Sequence, residues 1–283
     1  ETVLRYIILG LILAGLFQVF FWITQDNRIS LKQDASERIE SLSYSPYEGY
    51  DKKVLSPKQI EEDIGILLNF TNKVRTYSTA DAKVILEETS KTNMMVDLGL
   101  WLSGDYEENF LEIQRAVKLL EKYPNSINNV IVGNETLLRT DLNAAELGAY
   151  LDFMREFTNK PITTAEVWHS LVKYPEIGTH VDFIMVHILP YWEKIPIDRF
   201  NEFMIEKYTL VEKQYPGKKM TIGETGWPSH GYNFNGAVPS LKNQAIAIRG
   251  FLNLAKEKNW SYNIVEAFDQ PWKGYDEGNV GQY

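Results

Sequence analysis

The sequence lacks cysteine, has only four histidines and contains fewer basic than acidic residues. Without cysteine, the chain can form no disulfide bridge, no thiolate zinc site and no cysteine nucleophile. The histidines show no HExxH pattern, and we expect no bound metal. The 29 lysines and arginines against 38 aspartates and glutamates give a net charge of -9. This balance argues against a nucleic-acid partner, because phosphate binding requires a basic face.

One long hydrophobic run stands near the N-terminus. Residues 6–23 carry no charge and a single amide, Gln18, and a membrane-spanning helix needs about 20 apolar residues. Trp22 fits an aromatic residue at a membrane interface. The alternatives are a buried core helix and a signal peptide, although the apolar core of a signal peptide is shorter, about 7–15 residues. We therefore predict a transmembrane anchor over residues 1–24, followed by a polar linker over 25–38.

Short β-rich runs alternate with amphipathic stretches through the rest of the chain. Eight runs are candidate strands, at residues 39–44, 72–77, 94–101, 128–133, 160–168, 181–188, 218–223 and 262–268. The gaps between them leave room for helices, so the alternation predicts a parallel α/β sheet. Eight strands close a (β/α)8 TIM barrel, which we predict over residues 39–283. A doubly wound open sheet is the alternative, but no GxGxxG turn follows any strand, and we expect no cofactor.

Three helix starts can be recognised from their capping residues. Ser56 precedes a proline, which is favoured at the first helical position. Asn143 is followed three residues later by Glu146, as in a capping box. Ser240 opens a third run, in which apolar residues recur at helical spacing. These signals place helices between the predicted strands.

The segment after the eighth strand does not fit a barrel helix. Residues 274–283, GYDEGNVGQY, carry three glycines and no apolar stripe. A helix normally follows the eighth strand of a barrel, so the last barrel helix is missing from this sequence. We predict that these residues form a loop over the cleft and that the natural chain continues past Tyr283.

The carboxyl ends of the predicted strands form one rim, where the catalytic residues of such barrels lie. Five of the seven tryptophans fall on this rim. Aromatic faces stack against the apolar C–H faces of sugar rings, so the rim predicts a carbohydrate-binding cleft. The residues predicted to bind substrate there are Tyr44, Arg75, Tyr77, Trp101, Asn134, Glu166, Trp168, His187, Tyr191, Trp192, Trp227, Glu266, Asp269, Trp272 and Lys273. For His187, a hydrogen-bonded pocket residue is the simpler interpretation than a metal ligand.

Two glutamates follow apolar strands, where a solvated surface residue is not expected. Glu135 comes after the fourth strand and Glu224 after the seventh. These strands lie on opposite sides of a barrel mouth, so both carboxyl groups can face one bound sugar. Glycoside hydrolysis requires such a pair, a proton donor and a partner at the anomeric carbon. The alternative is that one of them forms a structural ion pair, for example with Arg75.

Five segments resemble family-17 glycoside hydrolases, the β-1,3-glucanases and related glucanosyltransferases. VGNE at 132–135 and GETGWPS at 223–229 are similar to the two signature motifs of that family. RTY at 75–77, LPYWE at 189–193 and EAFDQPWK at 266–273 match the same family in order and position. The resemblance covers about residues 39–283 and implies a β-glucan oligosaccharide or polysaccharide as substrate.

The resemblance also implies roles for individual residues. Glu135 resembles the general acid/base and Glu224 the nucleophile, whereas Asn134 resembles the residue that bonds the sugar 2-hydroxyl. Tyr77 and Tyr191 resemble cleft residues near the cleaved bond. We therefore expect double displacement with retention, in which water or another sugar accepts the glycosyl group. Burial and neighbouring negative charge should raise the pKa of Glu135, and hydrogen bonds should keep Glu224 ionised.

The sequence also departs from the plant members of this family. Gln270 stands where those usually carry glutamate, and LPYWE and FDQPWK look like the bacterial branch. In that branch, such domains are often membrane-linked and occur beside glucan-synthesising machinery. We therefore expect an anchor through residues 6–23 and a catalytic domain outside the cytoplasm, in the periplasm or at the cell surface. We expect Trp192, Trp227 and Trp272 to form a platform for an acceptor sugar.

Two other functions remain open at the level of sequence. The first is a non-catalytic glucan-binding subunit anchored beside a glucan synthase, although such a module would not need both Glu135 and Glu224. The second is another retaining barrel glycosidase acting on β-1,4-glucan, which the GETGWPS motif disfavours.

Overall fold

The structure, a computed structural model, describes residues 2–25, 38–275 and 277–282. The chain divides into two units, residues 1–34 and 35–283. The linker predicted over residues 25–38 lies almost entirely outside the described residues.

The first unit contains one helix, α1 (Thr2–Gln25). Its side chains from 4 to 21 are exposed, and the helix has no polar face. At 1.5 Å per residue, 24 residues extend over about 36 Å, enough to cross a hydrocarbon layer of about 30 Å. Within the described part of the chain, it is the one helix long and apolar enough to span a membrane. A signal sequence near an N-terminus meets the same criterion.

The second unit is a closed barrel of eight parallel strands. The strands are β1 (Leu42–Ser43), β4 (Lys73–Arg75), β5 (Met95–Leu100), β6 (Ile127–Asn134), β7 (Ile162–Val167), β8 (Ile184–His187), β9 (Met220–Thr225) and β10 (Ser261–Ile264). They pair in chain order, and β10 closes the barrel against β1. Each predicted strand overlaps one of these eight, so the (β/α)8 prediction is confirmed.

Helices surround the barrel. They are α2 (Pro57–Leu67), α3 (Thr79–Thr89), α4 (Tyr106–Lys122), α5 (Ala144–Arg155), α6 (Trp168–Lys173), α7 (Phe200–Gln214) and α8 (Leu241–Lys258). The capping predictions are confirmed, since Ser56, Asn143 and Ser240 each accept a backbone N–H at the start of their helix. After β10, the described residues form only two 3-10 turns, Pro271–Tyr275 and Gly278–Val280.

One element was not predicted. Strands β2 (Tyr47–Glu48) and β3 (Lys53–Val54) form a small antiparallel hairpin directly after β1. Each strand has only two residues, which is too short for an alternating pattern to reveal. The rings of Tyr47 and Trp272 pack edge to face, with 6.1 Å between their centroids, so the hairpin extends the rim of the barrel.

Alternation along the short strands directs one set of side chains toward the helices and the other into the barrel. Val74, Val186 and Ile222 pack in the large apolar cluster that includes the helices. Their neighbours Arg75 and His187 therefore point inward, and each is only 1% exposed. Buried polar groups are costly unless they are paired. The interior near the carboxyl ends of the strands must therefore contain a connected polar network.

Candidate active site

Both candidate catalytic glutamates stand where a strand carries a β-bulge. The pairing of β6 with β7 shifts register between Ile131 and Asn134, immediately before Glu135. The pairing of β8 with β9 shifts next to Glu224. A bulge bends a strand and redirects the side chains that follow it. The two bulges therefore direct both carboxyl groups to the barrel mouth.

Gly133 is required for the first bulge. Its φ angle is 84°, in the left-handed region that favours glycine. A Cβ atom at this position would lie 2.6 Å from Oγ1 of Thr136, closer than two such atoms approach. Glu135 also has a positive φ, 52°, and its backbone N–H donates to the carbonyl oxygen of Ala165 at 2.7 Å. The backbone thus fixes the position of Glu135.

The carboxyl groups of Glu135 and Glu224 face each other across the mouth. One carboxylate oxygen of each lies within 4.8 Å of the other. Glu224 is 8% exposed, whereas Glu135 is half-buried. The prediction that the fourth and seventh barrel strands bring these residues together is confirmed. The pair is close enough for both groups to act on one bond of a substrate.

Arg75 lies beneath this pair and contacts residues on both sides of it. Its Nη1 donates to Oε1 of Glu224 at 3.2 Å and to the carbonyl oxygen of Gly223 at 2.7 Å. Its Nη2 donates to Oδ1 of Asn134 at 2.5 Å. Sequence analysis gave an ion pair with Arg75 as an alternative role for one of the two glutamates, and Glu224 does form this ion pair. Because Arg75 is buried, it supports the site from below instead of lining the cleft as predicted.

His187 connects the two carboxyl groups. Its Nδ1 lies 2.7 Å from Oε1 of Glu135, and its Nε2 lies 3.1 Å from Nη1 of Arg75. The same Nε2 is 3.6 Å from Oε1 of Glu224. The side chain has no exposed surface, so His187 belongs to the network below the cleft. Its interpretation as a hydrogen-bonded pocket residue agrees with these contacts.

The pKa of Glu135 differs from the sequence-based expectation. Burial raises the pKa of Glu135, but its interaction with His187 and the charges of Arg75 and Arg139 outweigh burial. The resulting pKa lies below the ordinary glutamate value. The expectation of a raised pKa is therefore wrong for the free protein. The sequence reveals a neighbouring carboxylate but not the basic groups that the fold gathers around Glu135.

Two predicted cleft residues lie outside the cleft. Tyr44 is buried, and its hydroxyl donates to Oδ2 of Asp63 in α2 at 2.7 Å, so it anchors a helix. Glu166 is completely buried and accepts the backbone N–H of Leu137 at 2.8 Å. Burial raises the pKa of Glu166 to about 7. This carboxyl group supports the loop that follows Glu135 and has no surface available to a sugar.

Two tryptophans of the predicted rim present substantial surface to solvent. Trp101 is 42% exposed and Trp192 is 38% exposed. The guanidinium of Arg139 lies 4.3 Å from the centroid of the Trp101 ring. Both rings are therefore available for contact with a ligand.

The other three rim tryptophans are engaged in packing. Trp227 is buried and donates to a backbone carbonyl at 3.1 Å. Trp168 begins α6 instead of ending a strand, and its Nε1 donates to Glu193 at 2.9 Å. Trp272 donates to Oε1 of Gln270 at 2.7 Å. Of the three residues predicted to form an acceptor platform, Trp192 is thus the one with the most exposed ring.

A cavity of about 610 Å³ opens at the carboxyl ends of the strands, and neither Glu135 nor Glu224 is among the residues that line it. Its volume is in the range of small-molecule sites, about 300–1,000 Å³. It lies between the ends of β8, β9 and β10, the start of α8 and the described residues of the C-terminal segment. Six predicted cleft residues line it, namely Tyr191, Trp192, Trp227, Glu266, Asp269 and Lys273. Glu277 and residues 280–282 line it too, in agreement with a loop over the cleft.

Charged groups line the part of the cavity nearest the pair. Lys273 donates to the carboxylate of Glu266, and its Nζ lies 6.0 Å from the ring centroid of Tyr77. The hydroxyl of Tyr77 lies 2.9 Å from Oε1 of Glu224, so the cavity adjoins the pair. Glu277 is an exposed residue, but partial desolvation of its carboxyl group in the cavity raises its pKa to about 7, against the opposing charge of Lys273. Glu277 therefore presents a carboxyl group that titrates near neutral pH.

Tyr191 lines the cavity. Its hydroxyl donates to the carbonyl oxygen of Tyr232 at 2.6 Å, and burial raises the pKa of Tyr191 to about 12. The hydroxyl of Tyr191 therefore has an acceptor within the protein and keeps its proton.

Sequence analysis did not identify two residues of the site, Arg139 and Glu277. Arg139 donates to the carbonyl oxygens of Asn134 and Leu102 and clamps the backbone next to Glu135. The sequence signal was an arginine four residues after a candidate catalytic glutamate, inside a loop. Glu277 was treated only as part of a loop, and no pattern distinguishes it from other surface glutamates.

Glu135, His187 and Glu224 also offer three ligand atoms within 4.8 Å of one another, a spacing that suits a metal ion. However, Arg75 already contacts both His187 and Glu224 with a fixed positive charge. A metal ion at this point would be repelled by the guanidinium. The donor set therefore fits a metal ion poorly, and the absence of a metal stays a prediction.

The family model of the BtgE/BtgC glycoside hydrolase domain matches residues 41–283. The glucan 1,3-beta-glucosidase of Schizosaccharomyces pombe is 27% identical over 241 residues, which are 78% of this chain and 74% of that protein. The probable glucan endo-1,3-beta-glucosidase btgC of Aspergillus clavatus is 26% identical over 251 residues. This match covers 77% of the chain and 35% of that relative. Both relatives are fungal, so the bacterial branch stays a prediction.

Solved structures of similar fold include the glycoside hydrolase family 17 β-1,3-glucanosyltransferase from Rhizomucor miehei. It has a TM-score of 0.80 and 27% identity, and the match covers 88% of this chain and 92% of that chain. An active-site mutant of the Rhizomucor miehei enzyme in complex with laminaritriose also has a TM-score of 0.80, with 26% identity. An endo-laminarinase from Formosa Hel1_33_131 shares the fold, with a TM-score of 0.75 and 21% identity.

Proposed function

The chain belongs to the BtgE/BtgC family of glycoside hydrolase domains, and on that premise we propose that it cleaves β-1,3-glucan with retention at the anomeric carbon. The separation of Glu135 and Glu224 supports this most strongly, since one oxygen of each lies within 4.8 Å of the other. Retaining glycosidases place the two carboxyl groups about 5–5.5 Å apart, and inverting ones about 6.5–9.5 Å. The β-1,3-glucan substrate is proposed from the glucosidases and the glucanosyltransferase to which the chain is similar.

In the first step, an oxygen of Glu224 attacks the anomeric carbon and forms a glycosyl ester. The glycosidic bond breaks, and Glu135 gives its proton to the departing oxygen. Arg75 and Tyr77 both contact Oε1 of Glu224, so they orient the nucleophile. Oε2 of Glu224 is then the oxygen left to attack.

In the second step, Glu135 removes a proton from the acceptor, which displaces Glu224 and restores its carboxylate. The ester has no charge, so Glu135 loses a negative neighbour within 4.8 Å when the ester forms. Loss of a like charge favours the ionised form of a carboxyl group. Glu135 therefore stays ionised after the ester forms and can accept the proton of the acceptor, as double displacement requires.

The side-chain amide oxygen of Asn134 already accepts a hydrogen bond within the protein. This oxygen, Oδ1, accepts from Arg75, which can only donate, and this fixes the amide orientation. The Nδ2 group is then free to donate to a sugar hydroxyl. This arrangement supports the role that the family resemblance implies, a hydrogen bond to the 2-hydroxyl of the sugar bound between the two glutamates.

The acceptor is water in hydrolysis and a sugar hydroxyl in transfer. We propose that both compete and that the exposed ring of Trp192 holds an acceptor sugar in the cavity. The similarity to a glucanosyltransferase supports transfer, and the similarity to a glucosidase supports hydrolysis.

We further propose that α1 anchors the domain outside the cytoplasm, within reach of glucan-synthesising machinery. Extraction of membranes at alkaline pH followed by detection of the protein in the pellet tests the anchor.

Product analysis with a β-1,3-glucan oligosaccharide tests the proposed function. Shorter products indicate hydrolysis, and products longer than the substrate indicate transfer. Glu224→Gln should form neither product while still binding the oligosaccharide, because it lacks the nucleophile. A Glu224→Gln variant with undiminished turnover, or a wild-type protein that binds without turnover, would contradict the enzymatic role.

A further inference from the structure

The ring of His187 carries its proton at a position that its neighbours determine. The charged and titratable groups around it are Arg75 on β4, Glu135 after β6, Glu166 on β7 and Glu224 on β9. Nη1 of Arg75 has two hydrogens: one is donated to the carbonyl oxygen of Gly223 at 2.7 Å, and the other is shared between Nε2 of His187 at 3.1 Å and Oε1 of Glu224 at 3.2 Å. A guanidinium nitrogen only donates. A hydrogen on Nε2 would therefore point at another N–H group, so Nε2 carries no hydrogen.

A neutral imidazole with a bare Nε2 carries its hydrogen on Nδ1. This nitrogen lies 2.7 Å from Oε1 of Glu135, so its N–H donates to that oxygen. A doubly protonated ring would need an acceptor for Nε2–H. The nearest carboxylate oxygen is Oε1 of Glu224 at 3.6 Å, beyond hydrogen-bond distance, and the guanidinium of Arg75 would repel the added charge.

We propose that Arg75 holds His187 in its Nδ1–H form, and that His187 thereby confines the transferable proton of Glu135 to Oε2. Oε1 of Glu135 accepts from His187 in both protonation states and is not available to the substrate. His187 is thus a positioning residue that acts through Glu135. The inference rests on the proposed function, in which Glu135 first donates this proton and then recovers it.

Proton transfer then follows one route. In the first step the proton leaves Oε2 for the glycosidic oxygen, and the new negative charge on Glu135 strengthens the bond from Nδ1–H. In the second step the proton of the acceptor hydroxyl returns to Oε2. His187 neither gains nor loses a proton in the cycle. Its contribution is to select the oxygen and to stabilise the ionised form of Glu135.

Nitrogen-15 NMR of the full chain in detergent tests the tautomer without any substrate. With four histidines in the sequence, the ring signals are few, and a His187→Asn variant identifies those of His187. A protonated ring nitrogen and a bare one resonate at well-separated shifts. We expect a protonated Nδ1 and an unprotonated Nε2 at pH 8. A protonated Nε2 and an unprotonated Nδ1 at this pH would overturn the proposal.

Two variants test the effect on Glu135. His187→Asn keeps an amide N–H able to donate to Oε1, whereas His187→Leu is similar in size and has no donor. In the leucine variant, we expect the pKa of Glu135, followed by carbon-13 NMR, to rise by about one unit or more. The alkaline limb of kcat/KM should move by the same amount. In the asparagine variant both should stay close to the wild-type values.

Equal shifts in the two variants, or no shift in either, would overturn the positioning role. If the leucine variant does not fold, the tautomer measured in the wild-type chain decides whether the proposal holds. A failure of the proposed function gives a different result. The wild-type chain would then show no activity on any glucan, but the tautomer of His187 and the pKa of Glu135 could still be measured by NMR and would still agree with the proposal.

Discussion

The hydroxyl group of Tyr77 lies 2.9 Å from Oε1 of Glu224 and 2.9 Å from Oγ of Ser43. Burial and the negative charge of Glu224 raise the pKa of Tyr77 well above its usual value. The hydroxyl therefore keeps its proton at any working pH and donates to Glu224. Together with Arg75, it holds the nucleophile in a single orientation.

Tyr77→Phe removes this donor while keeping the aromatic ring. We expect kcat/KM to fall about 10-fold to 100-fold, because a hydrogen bond to a charged group contributes about 1.5–3 kcal/mol. Tyr44→Phe is the matched control, since its hydroxyl bonds Asp63 outside the cleft. It should lower the free energy of unfolding by about 1 kcal/mol and leave kcat/KM unchanged. Equal effects of the two variants on kcat/KM would show that Tyr77 has no special role at Glu224.

Gly133→Ala should displace Glu135, because the new Cβ would lie 2.6 Å from Oγ1 of Thr136. Gly217→Ala is a control with a similar positive φ, 80°, and no atom within 4 Å of the new Cβ. Both variants should lose about 1 kcal/mol of stability from backbone strain. Only Gly133→Ala should also lose activity, which oligosaccharide turnover at a temperature where both are folded measures. Retention of full activity by Gly133→Ala would mean that the bulge does not position Glu135.

Glu166 makes stability depend on pH. Its pKa is about 7 in the folded protein against an ordinary value of 4.5. The folded state therefore binds the proton more tightly, and its contribution falls as pH rises from about 4.5 to about 7. Glu166→Gln stays neutral, so its stability relative to wild type should increase over this range, by up to about 3 kcal/mol. Melting temperatures of both proteins at pH 5 and pH 8 measure this, and parallel pH profiles would refute it.

Glu277 lines the cavity with a carboxyl group that titrates near pH 7. Glu277→Gln removes the charge and one acceptor, so we expect KM for a β-1,3-glucan oligosaccharide to change about 2-fold to 10-fold. The change should be larger at pH 8 than at pH 6, because the wild-type group is ionised only above its pKa. Tyr275→Ala, at a residue that is 78% exposed, is the control and should leave KM unchanged. An unaltered KM in Glu277→Gln would exclude contact with the substrate.

The fold and the catalytic pair could be predicted from the sequence because their signals are local. Apolar strands, helix caps and the motif around Glu224 are each readable within a few residues. Side-chain direction at the ends of short strands is not. Ser43 points into the barrel and contacts Tyr77, so its neighbour Tyr44 points outward to α2. Two residues of β1 give no alternating pattern from which this direction could be deduced.

Interactions between residues on distant strands could not be predicted from the sequence either. The pKa of Glu135 depends on His187 and Arg75, which lie 52 and 60 positions away along the chain. Glu166 shares the rim position of a cleft residue, but the loop after Glu135 folds back and covers it. These arrangements follow from closure of the barrel, which brings residues together that no sequence window contains.

The anomeric configuration of the first product tests the retaining mechanism most directly. Proton NMR recorded immediately after the enzyme is mixed with a β-1,3-glucan oligosaccharide distinguishes the two anomers before they interconvert in water. Because Glu135 and Glu224 approach within 4.8 Å, we expect the β-anomer to form first and the α-anomer to accumulate only later. Initial formation of the α-anomer would show a single displacement by water and would contradict the role of Glu224 as nucleophile.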